Sequence, residues 1–415
     1  MSEFSRRSFA GSAATFTIVK PELVRGAGKE KLRAGIVGCG GRGTAAIGDI
    51  LTGNPNVELV AMADLFEDKL EQSLSRIRTQ DRFAAVRDRV KVDPEHRFTG
   101  FDAFRKIAAS GVDIVMLTTP PGYRPEHFEA AINAGKHVFC EKPIATDPVG
   151  VRRFLAANEK ARARKLTVVS GAQRRSSRDY LQTREKVRGG AIGDIVALYS
   201  NYLSGPVMHA KARDPRWGDM EWEHRNWYSF VWICGDQIVE QHFHNIDCMN
   251  WFMDAHPVSV VASGGVAWRP AEELYGNIYD HMTSDFVYPN GVRLSSHCRQ
   301  YPAGVYRKVD DLIVGTKGRT NGRDMGEAPP VNPQVQEHIN LVNSILGNGP
   351  YVNHGVEVAE STMTCIMARE SAYSGMEITW EMIMKSQQDL QPKAFDYKLK
   401  MDPPPVPVPG KYKFI

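Results

Sequence analysis

The chain has 415 residues, 42% of them apolar and 24% charged. That is an ordinary balance for a soluble globular protein, and the length allows two or three domains with their own cores. Its net charge is +4, and the first 33 residues, with seven Lys or Arg against three Glu, carry all of it. The neutral remainder argues against nucleic acid as a partner, because phosphate binding needs a basic surface. No apolar run approaches the ~18 residues of a membrane span.

Residues 1–31 form the first segment. "SRRSFAGSAATFTIV" sets Arg6 and Arg7 before Phe9 and a short run of small and apolar residues, which resembles a twin-arginine export signal. The expectation is a leader and a periplasmic protein; the alternative is a basic extension on a cytosolic one. The six cysteines show no C-x-x-C pair and read as buried free thiols, in keeping with export after folding in a reducing compartment.

From residue 32 to 173, apolar strand-like runs alternate with helical stretches. The runs are "LRAGIVG", "VELVAMAD", "VDIVMLTTP", "KHVFCEKP" and "LTVVSGAQ"; the helical stretches are 42–51, 67–77, 125–134 and 149–163. Such alternation predicts a parallel sheet covered on both faces. The first run ends in "GIVGCGGRG", a G-x-G-x-x-G formed by Gly38, Gly40 and Gly43, with Gly41 and Arg42 inside it. A turn of this kind lets the backbone approach a pyrophosphate at a helix N-terminus. The next strand ends in Asp64, placed to bond a ribose diol and repel a 2′-phosphate, so NAD is expected over NADP.

Two more segments leave strands on the same edge. "TTPPGYRPEHF" brings Thr119 and Pro120 beside the cofactor and Arg124 toward a substrate. "EKP" offers Glu141 and Lys142, whose ammonium would stand near the nicotinamide and a reacting hydroxyl.

Residues 174–400 change pattern. Strand-like runs dominate, and Asn290-Gly291 between two of them is a hairpin signal. A second domain on a large, open, mainly antiparallel sheet is expected, with helices near 335–346 and 356–374. Between its first strands, Trp217, Trp222, Trp227 and Trp232 crowd together with Tyr228. Flat aromatics suit a pyranose ring, or equally a core or subunit contact; Trp227 and Tyr228 are the candidate substrate contacts. "GDQIVEQHFHNIDCMNW" follows. Here Glu240, His244 and Asp247 fall at i, i+4 and i+7, on one face of a single helix. A carboxylate one turn from an imidazole orients it as a base. His242 faces elsewhere and is assigned to packing or to substrate. Metal binding by the H-x-H pair is not expected. Residues 401–415, rich in proline, must run extended.

Taken together, Gly38–Gly43, Asp64, "TPPGYRPEH", "AGKHVFCEKP" and "EVAESTMTCIMARESAYSGMEITW" resemble the Gfo/Idh/MocA family of sugar and polyol oxidoreductases, from about residue 32 to 385. The resemblance implies a Rossmann domain, an open α/β domain, bound NAD(P), and Lys142 beside the nicotinamide. It implies a redox role for His244, although Glu240 stands where the family usually has Asp and His242 where it often has Gly. The expected activity is oxidation of a hydroxyl on a sugar, glycoside or polyol. His244 would act as acid–base, Lys142 would polarise the hydroxyl, and Glu240 would orient or relay. Export predicts a tightly held cofactor. Its rivals are an NAD-dependent glycosidase working by transient oxidation, and a non-catalytic sugar-binding protein. A homodimer or homotetramer through the C-terminal sheet is expected.

Overall fold

The computed structural model describes residues 31–207, 210–270 and 272–415. Arg6 and Arg7 of the expected leader lie outside the described residues.

The first unit alternates strand and helix: β1 (Leu32–Val37), α1 (Gly41–Gly53), β2 (Val57–Asp64), α2 (Glu67–Thr79), β3 (Arg97–Thr99), α3 (Ala103–Ala109), β4 (Ile114–Leu117), α4 (Arg124–Asn133), β5 (His137–Cys140), α5 (Pro148–Ala163) and β6 (Val168–Ser170). All six strands pair in parallel, in the order β3-β2-β1-β4-β5-β6. Their continuous apolar runs are buried because helices cover both faces. The sequence pattern marked five of these strands. It missed β3 and α3, because a three-residue strand carrying one apolar side chain has no period to read.

The second unit runs α6 (Arg178–Arg188), β7 (Ile195–Ser204), α7 (Asp219–Arg225), α8 (Val231–Cys234), α9 (Gln237–Glu240), α10 (Phe243–Met253), β8 (Ser259–Gly265), β9 (His281–Val287), β10 (Arg293–Gln300), β11 (Lys308–Gly315), β12 (Gly318–Thr320), α11 (Pro333–Leu346), α12 (Gly355–Ser374), β13 (Ile378–Thr379) and α13 (Trp380–Lys385). Its sheet has the order β12-β11-β7-β10-β9-β8-β13. Only β7 and β10 pair in parallel; every other pair is antiparallel. Gly291 closes the expected hairpin at φ +83°. Alternation along the strands puts Leu198, Leu294, Phe286 and Val260 in the core. The opposite row, Tyr199, Ser295, Asp285 and Val261, is aligned strand to strand on the open face.

Two features depart from the sequence pattern. Four short helices, α7 to α10, occupy the connection between β7 and β8. Helix α11 leaves the second sheet and packs on α1, where Leu341, Val342 and Ile345 join the core of Ile47, Ile50 and Leu51. All six cysteines are buried and free. Among the described residues no helix is long and apolar enough to cross a membrane.

The two units are joined by α12, which is buried almost throughout and touches α5, α10 and β8. Arg369 on this helix is fully buried. Its Nη1 donates to the carbonyls of Thr146 at 2.6 Å and Gly235 at 3.0 Å. Its Nε and Nη2 donate to Glu370 Oε1 at 3.0 and 2.8 Å, and Nη2 to Gln388 Oε1 at 2.9 Å. Residues 386–415 have no helix or strand and run as a belt over both units. Tyr279 and Tyr412 pin its end by hydroxyl bonds to Pro407 O and Glu370 Oε2, each 2.8 Å. Arg369→Ala would leave Glu370 Oε1 and the carbonyls of Thr146 and Gly235 buried without that donor. A loss of about 3–5 kcal/mol in urea unfolding is expected; a loss under ~1 kcal/mol would show that the contact does not join the units.

Candidate active site

A cavity of about 570 Å³ lies along the C-terminal ends of the first sheet's strands and faces the second unit. Its wall includes Gly38, Gly40, Gly41, Arg42, Gly43, Asp64, Thr119, Pro120, Glu141, Lys142, Trp227, Glu240 and His244. Each of these is a candidate site residue in the sequence.

The glycine turn is tight enough to need its glycines. A Cβ on Gly43 would sit 1.9 Å from Gly38 O, and Gly38 has φ +101°. Thr118 Oγ1 donates to Gly38 O at 2.6 Å and holds the turn against β4. Helix α1 starts at Gly41 without a side-chain cap, so its first N–H groups face the cavity as an anion site. Asp64 closes β2. Its Oδ2 accepts from Cys39 N–H at 2.6 Å and its Oδ1 from Phe66 N–H at 2.9 Å. Burial pushes its pKa up, and these two bonds oppose that shift. Arg42 ion-pairs with Glu141 at 2.8 Å and Asp49 at 2.7 Å. Glu337 of α11 also reaches the cavity wall beside them; burial, then the charges of Glu141 and Asp49, drive its pKa well up despite Arg42.

Lys142 follows β5, three strands from β2, or about 14 Å at ~4.8 Å per strand. Its Nζ donates to Glu240 O at 2.5 Å and lies 3.3 Å from Glu240 Oε1. Gln241 Nε2 donates to Glu240 Oε2 at 2.5 Å, and Tyr202 OH donates to Gln241 Oε1 at 2.7 Å. His244 sits beside this chain. Its backbone carbonyl accepts from Arg174 Nη1 at 3.1 Å, and Arg174 ion-pairs with Asp311 at 2.7 Å. Burial first, then the charges of Lys142 and Arg174, hold the His244 pKa well below the ordinary histidine value. Its ring is therefore neutral near pH 7 and able to accept a proton.

Several expected contacts are corrected. Glu240, His244 and Asp247 do not share one helix. Glu240 ends α9, and His242 N–H bonds to Gln237 O at 3.2 Å, five residues back, before α10 begins. Glu240 and His244 still meet at the cavity. Asp247 does not; it is buried and takes a fork from Arg175 at 2.8 and 2.9 Å. His242 is fully buried, and its Nε2 lies 2.6 Å from Ser296 Oγ on β10. It lines no part of the cavity. Arg124 turns inward to donate to Pro143 O. Tyr228 is buried and accepts from Gln300 Nε2 at 2.6 Å. Among the described residues, the one His/Cys/Asp/Glu trio with converging ligand atoms is Asp93, Glu95 and His96, away from this cavity.

Other wall residues carry no signal in the sequence: Lys69, Tyr123, His127, Gln173, Lys211, His224, Gln241, Gln334 and Glu337. Tyr123 and His127 were inside a quoted loop. Gln334 and Glu337 lie on a helix whose pattern signals only an amphipathic face.

Known proteins resemble this arrangement. A family model described as "Oxidoreductase family, NAD-binding Rossmann fold" matches residues 32–170, and one for the GFO/IDH/MocA C-terminal domain matches residues 180–321. Myo-inositol 2-dehydrogenase of Thermotoga maritima is 24% identical over 291 residues, 69% of this chain and 74% of its own. Inositol 2-dehydrogenase of Gluconacetobacter diazotrophicus is 33% identical over 153 residues, 37% of this chain and 39% of its own. Among solved structures, scyllo-inositol dehydrogenase of Lactobacillus casei with bound NAD(H) and scyllo-inositol superposes with a TM-score of 0.64 at 20% identity, covering 84% of this chain and 99% of that one. The aldose-aldose oxidoreductase of Caulobacter crescentus, complexed with glycerol, gives 0.62 at 18% identity with the same coverages, 84% and 99%. These likenesses support the fold.

Proposed function

The chain belongs to the GFO/IDH/MocA oxidoreductase family, and on that premise we propose that it oxidises a ring hydroxyl of a polyol or sugar with NAD as hydride acceptor. The observation that carries this reading is one cavity with two unlike ends. A glycine cradle and Asp64 suit a dinucleotide at one end; Lys142, Glu240 and a neutral His244 converge at the other.

The fit to a dinucleotide rests on the cradle itself, where Gly43 leaves space that any Cβ would fill. Gly38, Gly40, Gly41 and Gly43 would hold the pyrophosphate, and Asp64 the ribose diol. Bound there, the cofactor supplies a hydride acceptor. His244 takes the hydroxyl proton as the carbon loses its hydride and becomes a carbonyl. Lys142 donates a hydrogen bond to the same oxygen and stabilises its developing negative charge. Glu240 holds Lys142 in place. Inositols and aldoses are the first substrates to try, in keeping with the names of the relatives.

His244→Ala is expected to lower kcat by ~10²–10⁴-fold, about 3–5 kcal/mol of barrier, while NADH still binds. In the parent protein, kcat/KM should stay level through the ordinary histidine range near pH ~6.5 and fall only at lower pH. The active form is the unprotonated ring, and its pKa is depressed. An unchanged rate in the variant, or an acid limb centred above pH ~6.5, would remove His244 from the role.

Asp64 shares its end of the cavity with Lys69, Lys211 and Arg225. Asp64→Ser removes the carboxylate that closes β2 and would oppose a 2′-phosphate, while Lys69 and Lys211 stay on the cavity wall. The ratio of NAD to NADP dissociation constants should swing by ~10–100-fold toward NADP. A parent protein that already prefers NADP in titration would overturn the assignment.

Export rests on Arg6-Arg7 and the apolar run after it. Self-association rests on the open sheet face, where Tyr199 and Val261 are 46% and 54% exposed although aligned in one row. Cell fractionation followed by sedimentation of the purified protein tests both. A periplasmic dimer or tetramer is expected; a cytoplasmic location removes the first reading and a monomer the second.

A further inference from the structure

Beyond Asp64, the cavity is bridged by two segments with no part in the chemistry above. Leu65 and Phe66 follow Asp64 directly, so the adenosine of a dinucleotide whose ribose meets Asp64 lies over them. Arg225, the last residue of α7 in the second unit, crosses to this corner. Its guanidinium carbon stands 3.8 Å from the Phe66 ring centre and 4.9 Å from that of Trp217. It ion-pairs with Asp68 of the first unit at 3.2 Å and with Glu221 of its own helix at 3.0 Å.

The second bridge is the belt at residues 395–401. Tyr397 OH donates to Leu65 O at 2.6 Å. Its ring centre lies 4.9 Å from Phe101 and 6.0 Å from Phe66, and Phe395 lies 5.5 Å from Phe101 and 5.6 Å from Tyr123. The belt is tied to α7 as well. Met220 N–H bonds to Leu399 O at 3.3 Å, and Met401 N–H to Asp219 Oδ2 at 3.1 Å. Gly218 is packed so closely that a Cβ there would meet Tyr397 O at 2.3 Å. Helix α7, the belt and the first unit thus form one aromatic and ionic cluster, and Phe66, Phe101, Tyr123 and Arg225 present its inner surface to the cavity.

We infer that α7 and residues 395–401 are a clasp over the adenosine half of the bound dinucleotide, so that the cofactor stays on the protein from one turnover to the next. The inference rests on the nicotinamide reading above. Opening the corner separates a guanidinium from the Phe66 ring and the Asp68 carboxylate, and a half-buried tyrosine from its carbonyl. A dinucleotide must wait for that opening both to enter and to leave.

The test uses the full chain and NADH as probe. Protein loaded with NADH is chased with excess NAD, and nicotinamide fluorescence gives the release rate; mixing the free protein with NADH gives the association rate. Arg225→Ala and the milder Tyr397→Phe should each quicken both rates, by about tenfold or more for Arg225→Ala. Arg225→Lys, which keeps the charge and loses the flat guanidinium, should recover part of the slow exchange. Rates within twofold of the parent in both variants would overturn the clasp. So would faster release with unchanged association, because a lost contact without a gate gives that result. If the parent protein binds no NADH at all, the nicotinamide reading fails, which is a different outcome from either.

Discussion

A buried guanidinium fixes where the two halves of the site can stand. Arg369 has no access to water, so its donors must find partners inside the protein or cost several kcal/mol. Two of those partners are the carbonyls of Thr146 and Gly235. Thr146 comes four residues after Lys142, and Gly235 five before Glu240. One planar fork therefore sets the distance between the loop that carries the lysine and the turn that carries the acid. The same helix holds that turn a second time. Tyr373 OH donates to Asp236, which also accepts from Tyr279 N–H at 2.9 Å. Asp236 has φ +83°, an unfavourable backbone for a non-glycine residue, and burial pushes its carboxyl up to about 6. A strained, desolvated carboxylate persists only where its surroundings over-determine it, and here α12 does so.

The parts of this architecture that were legible in sequence are local. Gly38 to Gly43 and Asp64 are readable because a strand end, a turn and a helix start succeed one another within a few residues. The hairpin at Asn290-Gly291 is readable for the same reason. The stretch from Gly235 to Trp251 shows two of its three marked residues, Glu240 and His244, at the cavity, on a backbone the spacing did not predict. Spacing placed Glu240, His244 and Asp247 on one face, but the chain takes an extra residue at His242, with a bond five residues back in place of four. Such π-type turns frequently mark functional sites. Nothing in the pattern announces this one, because the segment is buried on nearly every side and offers no polar face to count from. Its effect is to turn His242 onto Ser296 and leave His244 at the cavity.

What was illegible comes from far along the chain. Arg225, Lys211, Gln334 and Glu337 reach a cavity founded on the first unit from positions more than a hundred residues after Asp64. Arg225 lies within the aromatic segment between Trp217 and Trp232, which suited a sugar ring. The fold places it against Phe66 and Asp68, beside Asp64, because α7 lies across the corner between the units. Trp227 alone of the two expected substrate aromatics reaches the cavity; Tyr228, its neighbour, points inward to Gln300.

On the function proposed above, the charges around His244 let a weak base serve. Lowering a histidine pKa makes the ring a poorer proton acceptor, which would seem to slow alcohol oxidation. The same cations that lower it also act on the alcohol. Lys142 is held mainly by a neutral carbonyl at 2.5 Å, with the Glu240 carboxylate farther off at 3.3 Å. Its positive charge is thus only partly cancelled and remains available to an oxygen losing its proton. In an enclosed site such a charge is worth more than in water, and it lowers the proton affinity of the substrate along with that of the ring. The difference between donor and acceptor is what the transfer must cross, and a cation that shifts both in the same direction leaves that difference small. Burial, more than either cation, keeps His244 unprotonated before substrate arrives.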